Sequence, residues 1–191
     1  VNTAARPFIP TKLWAEETSF GLTHFLERGD RTDKLHFIMP NRCFLAHPLR
    51  SKRDSEPFWF KALFWYVPID DESHLHFLIM VYHTKRRERP VSSPIHEEIE
   101  AIIAGNKTWQ DVATHPNLIR IQDGVAIVGQ GKIVDRSRER LGTSDAAVIL
   151  LRKIWSRELN LLSGGDKLTD FDTPDPQKLR EEELIAMGSN N

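Results

Sequence analysis

The spacing of hydrophobic and polar side chains predicts β-strands in the first half of the chain and α-helices in the second. Strands are indicated by short runs that are rich in aromatic and β-branched residues and that end at turn-forming residues. Four such runs occur, at residues 18–28, 34–40, 58–68 and 74–83. Residues 40–57, which contain three prolines and a cluster of charge, are predicted to form a loop.

The last two strand segments are the strongest, and the residues between them are typical of a hairpin turn. Asp70, Asp71 and Ser73 carry short polar side chains that can satisfy nearby backbone donors. In residues 74–83, apolar side chains occur on both faces of the strand. We therefore predict that this segment is a central strand of an antiparallel sheet, covered on one side by a helix.

Three helical segments follow. Residues 95–105 predict a short helix that is acidic in its first turn and stops at Gly105. A second apolar helical stretch opens at Asp123. The longest helix is predicted over residues 144–162, with Thr143 or Ser144 as its N-cap. Its apolar side chains at helical spacing are expected to face the sheet: Val148, Leu151, Trp155, Leu159 and Leu162.

Several strands followed by one long helix predict an α+β fold in which an antiparallel sheet wraps on the C-terminal helix. The chain has 191 residues, enough for one domain with a substantial core. We place that domain at residues 1–165 and a polar C-terminal tail at residues 166–191.

Composition narrows the classes of function. Basic and acidic residues nearly balance, 26 against 27, so no cationic surplus favours nucleic acid as a partner. No apolar run approaches the roughly 20 residues that span a bilayer. The single cysteine, Cys43, excludes an internal disulfide and favours a reducing, cytoplasmic setting.

A set of motifs occurs in a defined order between residues 18 and 165. The clearest is IQDGVAIVGQGKIVDRSRERLG, residues 121–142, followed directly by TSDAAVILLRK. Earlier members are TSFGL, VPIDDESHLHF and WQDVATHPNLIRIQDG. The ordered set resembles the C-terminal part of the catalytic domain of Rieske non-haem iron ring-hydroxylating oxygenases, in the branch of phthalate dioxygenase and vanillate O-demethylase. That resemblance implies a helix-grip fold, the START/Bet v 1-like arrangement.

The resemblance also implies a metal ligand. In that family the Gln-Asp pair supplies the one carboxylate of a mononuclear Fe(II) site, which is Asp123 here. Two imidazoles and one carboxylate on one face of ferrous iron leave positions open for dioxygen. Gly124 would leave room near the metal. Taken alone, an aspartate near a helix start is more often an N-cap; the surrounding motifs favour the ligand hypothesis for Asp123.

The chain departs from the family pattern in three ways. Residues 128–133 read VGQGKI where the family often has Glu-Ser-Met-Gly-Pro-Ile, so a proline is replaced by Lys132. The family's two iron-binding histidines, in an Asp-x-x-His-x-x-x-His helix, have no counterpart. A Rieske cluster needs two cysteines and two histidines, and Cys43 stands alone. We therefore expect a part of a longer subunit whose Rieske domain is missing here, and we expect this part alone to be inactive.

Other candidate residues receive structural interpretations. His74 and His76 share a strand face and could in principle share a metal, but a polar pair near a turn is favoured. The remaining histidines are expected at strand ends, at the surface or in loops, with no role at iron: His24, His36, His47, His83, His96 and His115. A charge-dense corner, residues 135–145, is expected to be solvated or to tie two helices together by ion pairs. The aromatic residues between Phe58 and Tyr66 are expected to be mostly core.

The implied reaction is the hydroxylation or oxidative demethylation of an aromatic compound with dioxygen. Electrons from NAD(P)H would arrive through a partner reductase or ferredoxin and then a two-iron two-sulfur Rieske cluster. The family's catalytic subunits assemble as homo-trimers. The alternative is a metal-free helix-grip module that binds a hydrophobic small molecule, because the same architecture serves that role.

Overall fold

The structure is a computed structural model, and it describes residues 10–29, 31–49, 58–83, 95–175 and 177–179. The chain divides into two compact units. The first comprises Val1–Val67, His74–Thr84 and Arg140–Asn191, and the second comprises Pro68–Ser73 and Lys85–Glu139.

The first unit is built on a six-stranded sheet whose strands follow one another in chain order. They are β1 (Lys12–Thr18), β2 (Gly21–Arg28), β3 (Arg31–Ile38), β4 (Arg42–Leu49), β5 (Phe58–Pro68) and β6 (His74–His83). Neighbouring strands are antiparallel, as expected when consecutive strands of the chain lie side by side. The antiparallel sheet and the α+β class predicted from the sequence are confirmed.

Two strand predictions are wrong. Residues 40–57 were predicted to form a loop, yet they contain β4, which pairs with β3 and β5. The alternation that buries Phe44 and Ala46 outweighs the nearby prolines. Second, among the described strands β6 is not central but the last one of the sheet. The prediction failed because apolar side chains on both faces of a strand are also the pattern of a buried strand.

The helices are α1 (His96–Ile103) and α2 (Leu118–Val128) in the second unit, and α3 (Ala146–Gly164) in the first. The long C-terminal helix is thus confirmed, with Gly165 in the left-handed conformation at its end. Its predicted cap is not found. Thr143–Asp145 forms a 3-10 turn instead, and Asp145 Oδ2 accepts a hydrogen bond from the Gly142 N–H at 2.7 Å.

The face by which α3 packs on β1 and β2 differs from the predicted stripe. Ile154, only 1 % exposed, packs with Leu22 and Met39 at the centre of this contact. Leu151 joins it, but the other four predicted residues are 37–61 % exposed. Both stripes have helical spacing, so the sequence pattern does not distinguish them. Around the centre lie Ala147, Leu150, Phe37 and Phe171.

After α3 the chain crosses to the opposite face of the sheet. The backbone N–H of Asp172 donates to the carbonyl of Ser19 at 2.9 Å. Leu179 then packs with Ile38, Phe44 and Ala46. Because successive residues of a strand point to opposite faces, Ile38 and Phe37 lie on different sides. The segment after residue 165 therefore contributes to the core on both sides of the sheet.

In the second unit, α1 and α2 pack together through a glycine contact. The fully buried Ile121 and the buried Ile99 form the apolar centre. Gly124 faces the Ile99 side chain so closely that a Cβ at this position would overlap it. The hairpin turn before β6 belongs to the same unit, where Lys132 Nζ lies 2.6 Å from Glu72 Oε2.

The hairpin turn itself is confirmed. Asp70 Oδ1 accepts hydrogen bonds from the Ser73 hydroxyl at 2.6 Å and from the Glu72 N–H at 2.9 Å. These bonds, the Ser73 hydroxyl first, lower the pKa of Asp70. Among the described residues, no helix combines the length and the apolar character needed to cross a bilayer.

Candidate functional site

Asp123 lies in the middle of α2, not at its start. The helix begins at Leu118 with Asn117 as its N-cap residue, so Asp123 occupies the sixth of eleven helical positions. A side chain there is a full turn beyond the amides that an N-cap satisfies. The cap hypothesis for Asp123 is therefore wrong. The ligand hypothesis stays a prediction.

The Asp123 carboxylate is exposed, and it makes no hydrogen bond or ion pair with any of the described residues. Mid-helix carboxylates on a solvated face are often paired three or four residues away. This one is available to an external partner, which is the condition a metal ligand must meet.

The helix that carries Asp123 is fixed by local contacts. The His115 ring accepts a hydrogen bond through Nδ1 from the Asn117 N–H at 3.0 Å, which orders the turn just before α2. The residue after Asp123, Gly124, has no side chain and so allows α1 to pack closely against α2. Gly124 was predicted to leave room near a metal, whereas in the structure it accommodates Ile99. Asp123 is thereby held on a helix with a packed neighbour.

The described residues do not form a complete iron site. None of them gather into a group of three or more histidine, cysteine, aspartate or glutamate side chains that could hold a metal. A ferrous centre of this kind takes two imidazoles and a carboxylate. Asp123 as the carboxylate of such a centre stays a prediction, because no such group of three is found around it among the described residues.

His74 and His76 belong to an aromatic cluster. The His76 ring stacks on Tyr66, with centroids 4.8 Å apart and planes 13° from parallel, and it lies 5.7 Å from the Phe64 ring. His74 lies 5.8 Å from Tyr66. On the neighbouring strand, Cys43 pairs in register with Phe64. The two histidines thus pack on β5 as aromatic rings.

Burial shapes the acid–base properties of this cluster. It raises the pKa of the Cys43 thiol to about 11, because the thiolate would lose solvation. Burial, and secondarily the neighbouring Cys43, also raises the pKa of Tyr66. Both groups are therefore neutral at physiological pH, and Cys43 is a weak nucleophile.

The other histidines differ in burial and in the residues that they contact. His36 was expected at a strand end or the surface, but it is buried, 3 % exposed, with Nδ1 at 2.9 Å from the Thr23 hydroxyl. Burial lowers the pKa of His24. His96 lies at the surface and pairs with Glu100 at 3.0 Å. The side chains of His47 and His83 lie outside the described residues.

The charge-dense corner makes local contacts. Asp135 accepts hydrogen bonds from the N–H and the hydroxyl of Ser137, at 3.0 and 2.6 Å, and so caps a 3-10 turn. Arg136 and Arg138 are exposed, as expected for a solvated run. Of the aromatic residues predicted as core, Trp65 is 46 % exposed, and the side chains of residues 58–60 lie outside the described part.

Glu158, a buried carboxylate on the packing face of α3, was not predicted from the sequence. Its Oε2 accepts a hydrogen bond from the Thr169 N–H at 2.9 Å, and its Oε1 accepts one from the Thr169 hydroxyl at 2.7 Å. Arg157 donates to the same Oε1 and also pairs with Glu17 on β1 at 2.7 Å. The available signal was an acidic residue four positions after Ile154, within an apolar stripe.

Comparison with known proteins finds similarity to an oxygenase subunit. No family model matches the chain. Over 116 residues the chain is 30 % identical to the 5,5'-dehydrodivanillate O-demethylase oxygenase subunit of Sphingobium sp. (strain NBRC 103272 / SYK-6), covering 56 % of this chain and 26 % of the relative. The chain thus spans about a quarter of that protein's length. It is a distant relative of an oxygenase subunit that acts in O-demethylation.

Proposed function

We propose that this chain is a C-terminal portion of the catalytic domain of a Rieske-type oxygenase that demethylates or hydroxylates an aromatic compound. The observation that carries the proposal is the similarity to an O-demethylase oxygenase subunit. The helix-grip-like arrangement of six antiparallel strands and a long C-terminal helix agrees with it. Because the relative is named as an O-demethylase of 5,5'-dehydrodivanillate, an aryl methyl ether is the substrate class we favour.

In this proposal Asp123 is the one carboxylate ligand of a mononuclear Fe(II). Its exposed side chain, with no partner among the described residues, supports that role. The two imidazole ligands and the Rieske cluster come from other parts of the longer subunit. When bound, the iron activates dioxygen, and NAD(P)H supplies the electrons through a reductase or ferredoxin. The complete subunits form a homo-trimer, and the protein works in the cytoplasm.

The test is oxidation by the longer subunit together with a reductase. Demethylation of an aryl methyl ether consumes dioxygen and reduced nicotinamide and releases the methyl carbon as formaldehyde. We expect formaldehyde to appear in proportion to the nicotinamide oxidised with a methoxylated aromatic acid. The matched compound without the methyl group should give no formaldehyde. If the ring is hydroxylated and no formaldehyde appears, the proposed reaction becomes hydroxylation, and the proposed family still holds.

The alternative is a metal-free module that binds a hydrophobic small molecule. It is favoured by one observation, the lack of a three-residue metal cluster among the described residues. Under this alternative the longer subunit contains no iron, and aromatic compounds bind without dioxygen uptake. Iron analysis and oxygen consumption of the same preparation therefore separate the two functions.

A further inference from the structure

The segment that follows α3 lies mostly at the surface of the first unit. Its described residues are 167–175 and 177–179, which we call the strap, and all of them are at least partly exposed except Leu179. Phe171 and Pro174 are half-buried, and the others are exposed. Segments with so little buried surface open at a lower free energy than the packed elements they lie on. The strap is therefore suited to opening by itself.

Among the described residues, the strap has two hydrogen-bonded attachments to the rest of the unit. The first is the buried Glu158 carboxylate of α3, which accepts bonds from the Thr169 N–H at 2.9 Å and the Thr169 hydroxyl at 2.7 Å. The second is the bond from the Asp172 N–H to the Ser19 carbonyl, at 2.9 Å. The strand β2, in contrast, pairs with β1 on one side and with β3 on the other. The strap is thus held less cooperatively than the strands beside it.

Two apolar anchors hold the strap on opposite faces of the sheet. Phe171 packs against the apolar cluster between α3 and the sheet, and Leu179 packs on the other face. Between them, Asp175 accepts hydrogen bonds from the N–H groups of Gln177 and Leu179, at 2.8 and 3.1 Å. This turn couples Leu179 to the residues before it, so both anchors belong to one segment.

We propose that the strap opens from the sheet as one unit while the sheet stays folded, with the Glu158–Thr169 contact as its latch. Both attachments and the first anchor lie within residues 169–172, so they separate together. Opening uncovers apolar side chains that are at most 8 % exposed in the closed form: Ile38, Phe44 and Ala46. The strap is thus a reversible cover for an apolar patch. The inference goes beyond the proposed function, because it requires neither iron nor substrate.

Native-state hydrogen exchange of the 191-residue chain, measured amide by amide, tests the proposal. The Thr169 and Asp172 amides should exchange with the same opening free energy, below that of the β2 amides. Their exchange should depend only weakly on urea, because opening the strap exposes far less surface than unfolding the sheet.

Two variants test whether the strap opens as one unit. Glu158→Gln weakens the latch by removing a charged acceptor, so both strap amides, and not that of Thr169 alone, should exchange about tenfold faster or more. Leu179→Ala removes the distant anchor and should speed the same two amides by about thirtyfold or more. The matched controls should leave both rates unchanged: Glu97→Gln, exposed on α1, and Leu168→Ala, 45 % exposed within the strap.

Two kinds of result would overturn the proposal. If the strap amides exchange at the same free energy and with the same urea dependence as the β2 amides, the segment is an inseparable part of the core. If Glu158→Gln speeds the Thr169 amide alone, or Leu179→Ala speeds neither strap amide, the attachments open separately and the strap is not one unit.

Discussion

Glu158 shows how a single charged residue joins two segments of this protein. Its carboxylate is buried on α3 and accepts hydrogen bonds from the Thr169 backbone, the Thr169 hydroxyl and Arg157. These donors, the Thr169 N–H first, lower the pKa of Glu158. The charged Glu158 side chain lies within an apolar stripe because its hydrogen bonds to Thr169 fix the start of the C-terminal segment.

We predict that Glu158→Gln destabilises the protein near neutral pH, because one amide oxygen replaces two anionic acceptors. A carboxyl group whose pKa is lower in the folded state than in the unfolded state stabilises the folded protein at pH values above the unfolded-state pKa. This stabilisation is lost as the pH falls through the folded-state pKa. The difference in urea midpoint between wild type and Glu158→Gln should therefore shrink toward acid pH. Glu97→Gln, at an exposed position on α1, should show no such trend. A constant difference for Glu158→Gln would contradict this account.

At the scale of elements, the contact between α1 and α2 depends on Gly124 having no side chain. A Cβ on Gly124 would overlap the Ile99 side chain. Overpacking of this kind costs about 1–3 kcal/mol, and the better helix propensity of alanine returns at most about 1 kcal/mol. We predict that Gly124→Ala lowers the free energy of unfolding. Ile99→Val shortens the facing side chain, so Gly124→Ala should cost less in that background, which a double-mutant cycle measures.

The helix α3 carries two apolar stripes, and packing selects one of them. Ile154→Ala should cost about 2–5 kcal/mol, because it empties a buried site between Leu22 and Met39. Leu159→Ala, from the stripe predicted by the sequence, should cost far less, because Leu159 is 52 % exposed. Chemical denaturation of the two variants checks the assignment. Equal costs would mean that both stripes are buried in solution.

These elements show which features a sequence specifies. Strand alternation and helical periodicity are local, so the antiparallel sheet and the long helix were predictable. Which stripe of α3 packs depends on Leu22 and Met39, more than a hundred positions away in the chain. For β6, apolar residues on both faces are equally consistent with a central strand and with the last of the described strands. The location of Asp123 within α2 was missed because its acidity suggested a helix start.

At the scale of the whole molecule, the described residues supply one candidate iron ligand where three are needed. We predict that the 191-residue chain alone, exposed to Fe(II) without oxygen and then desalted, retains little iron and has no oxygenase activity. Elemental analysis measures this directly. Stoichiometric iron that is lost in His74→Ala or His76→Ala would contradict the prediction and make those residues ligands.

The most direct test of the central claim is Asp123→Asn in the longer oxygenase subunit. Asparagine keeps the shape of the side chain but removes the anionic oxygen. If Asp123 binds the iron, mononuclear iron content and substrate turnover should both collapse, while the melting temperature and the Rieske cluster absorbance stay near wild type. Asp71→Asn, in the exposed hairpin turn, should leave all four properties unchanged. Near-normal iron content and turnover in Asp123→Asn would show that the carboxylate ligand is a different residue.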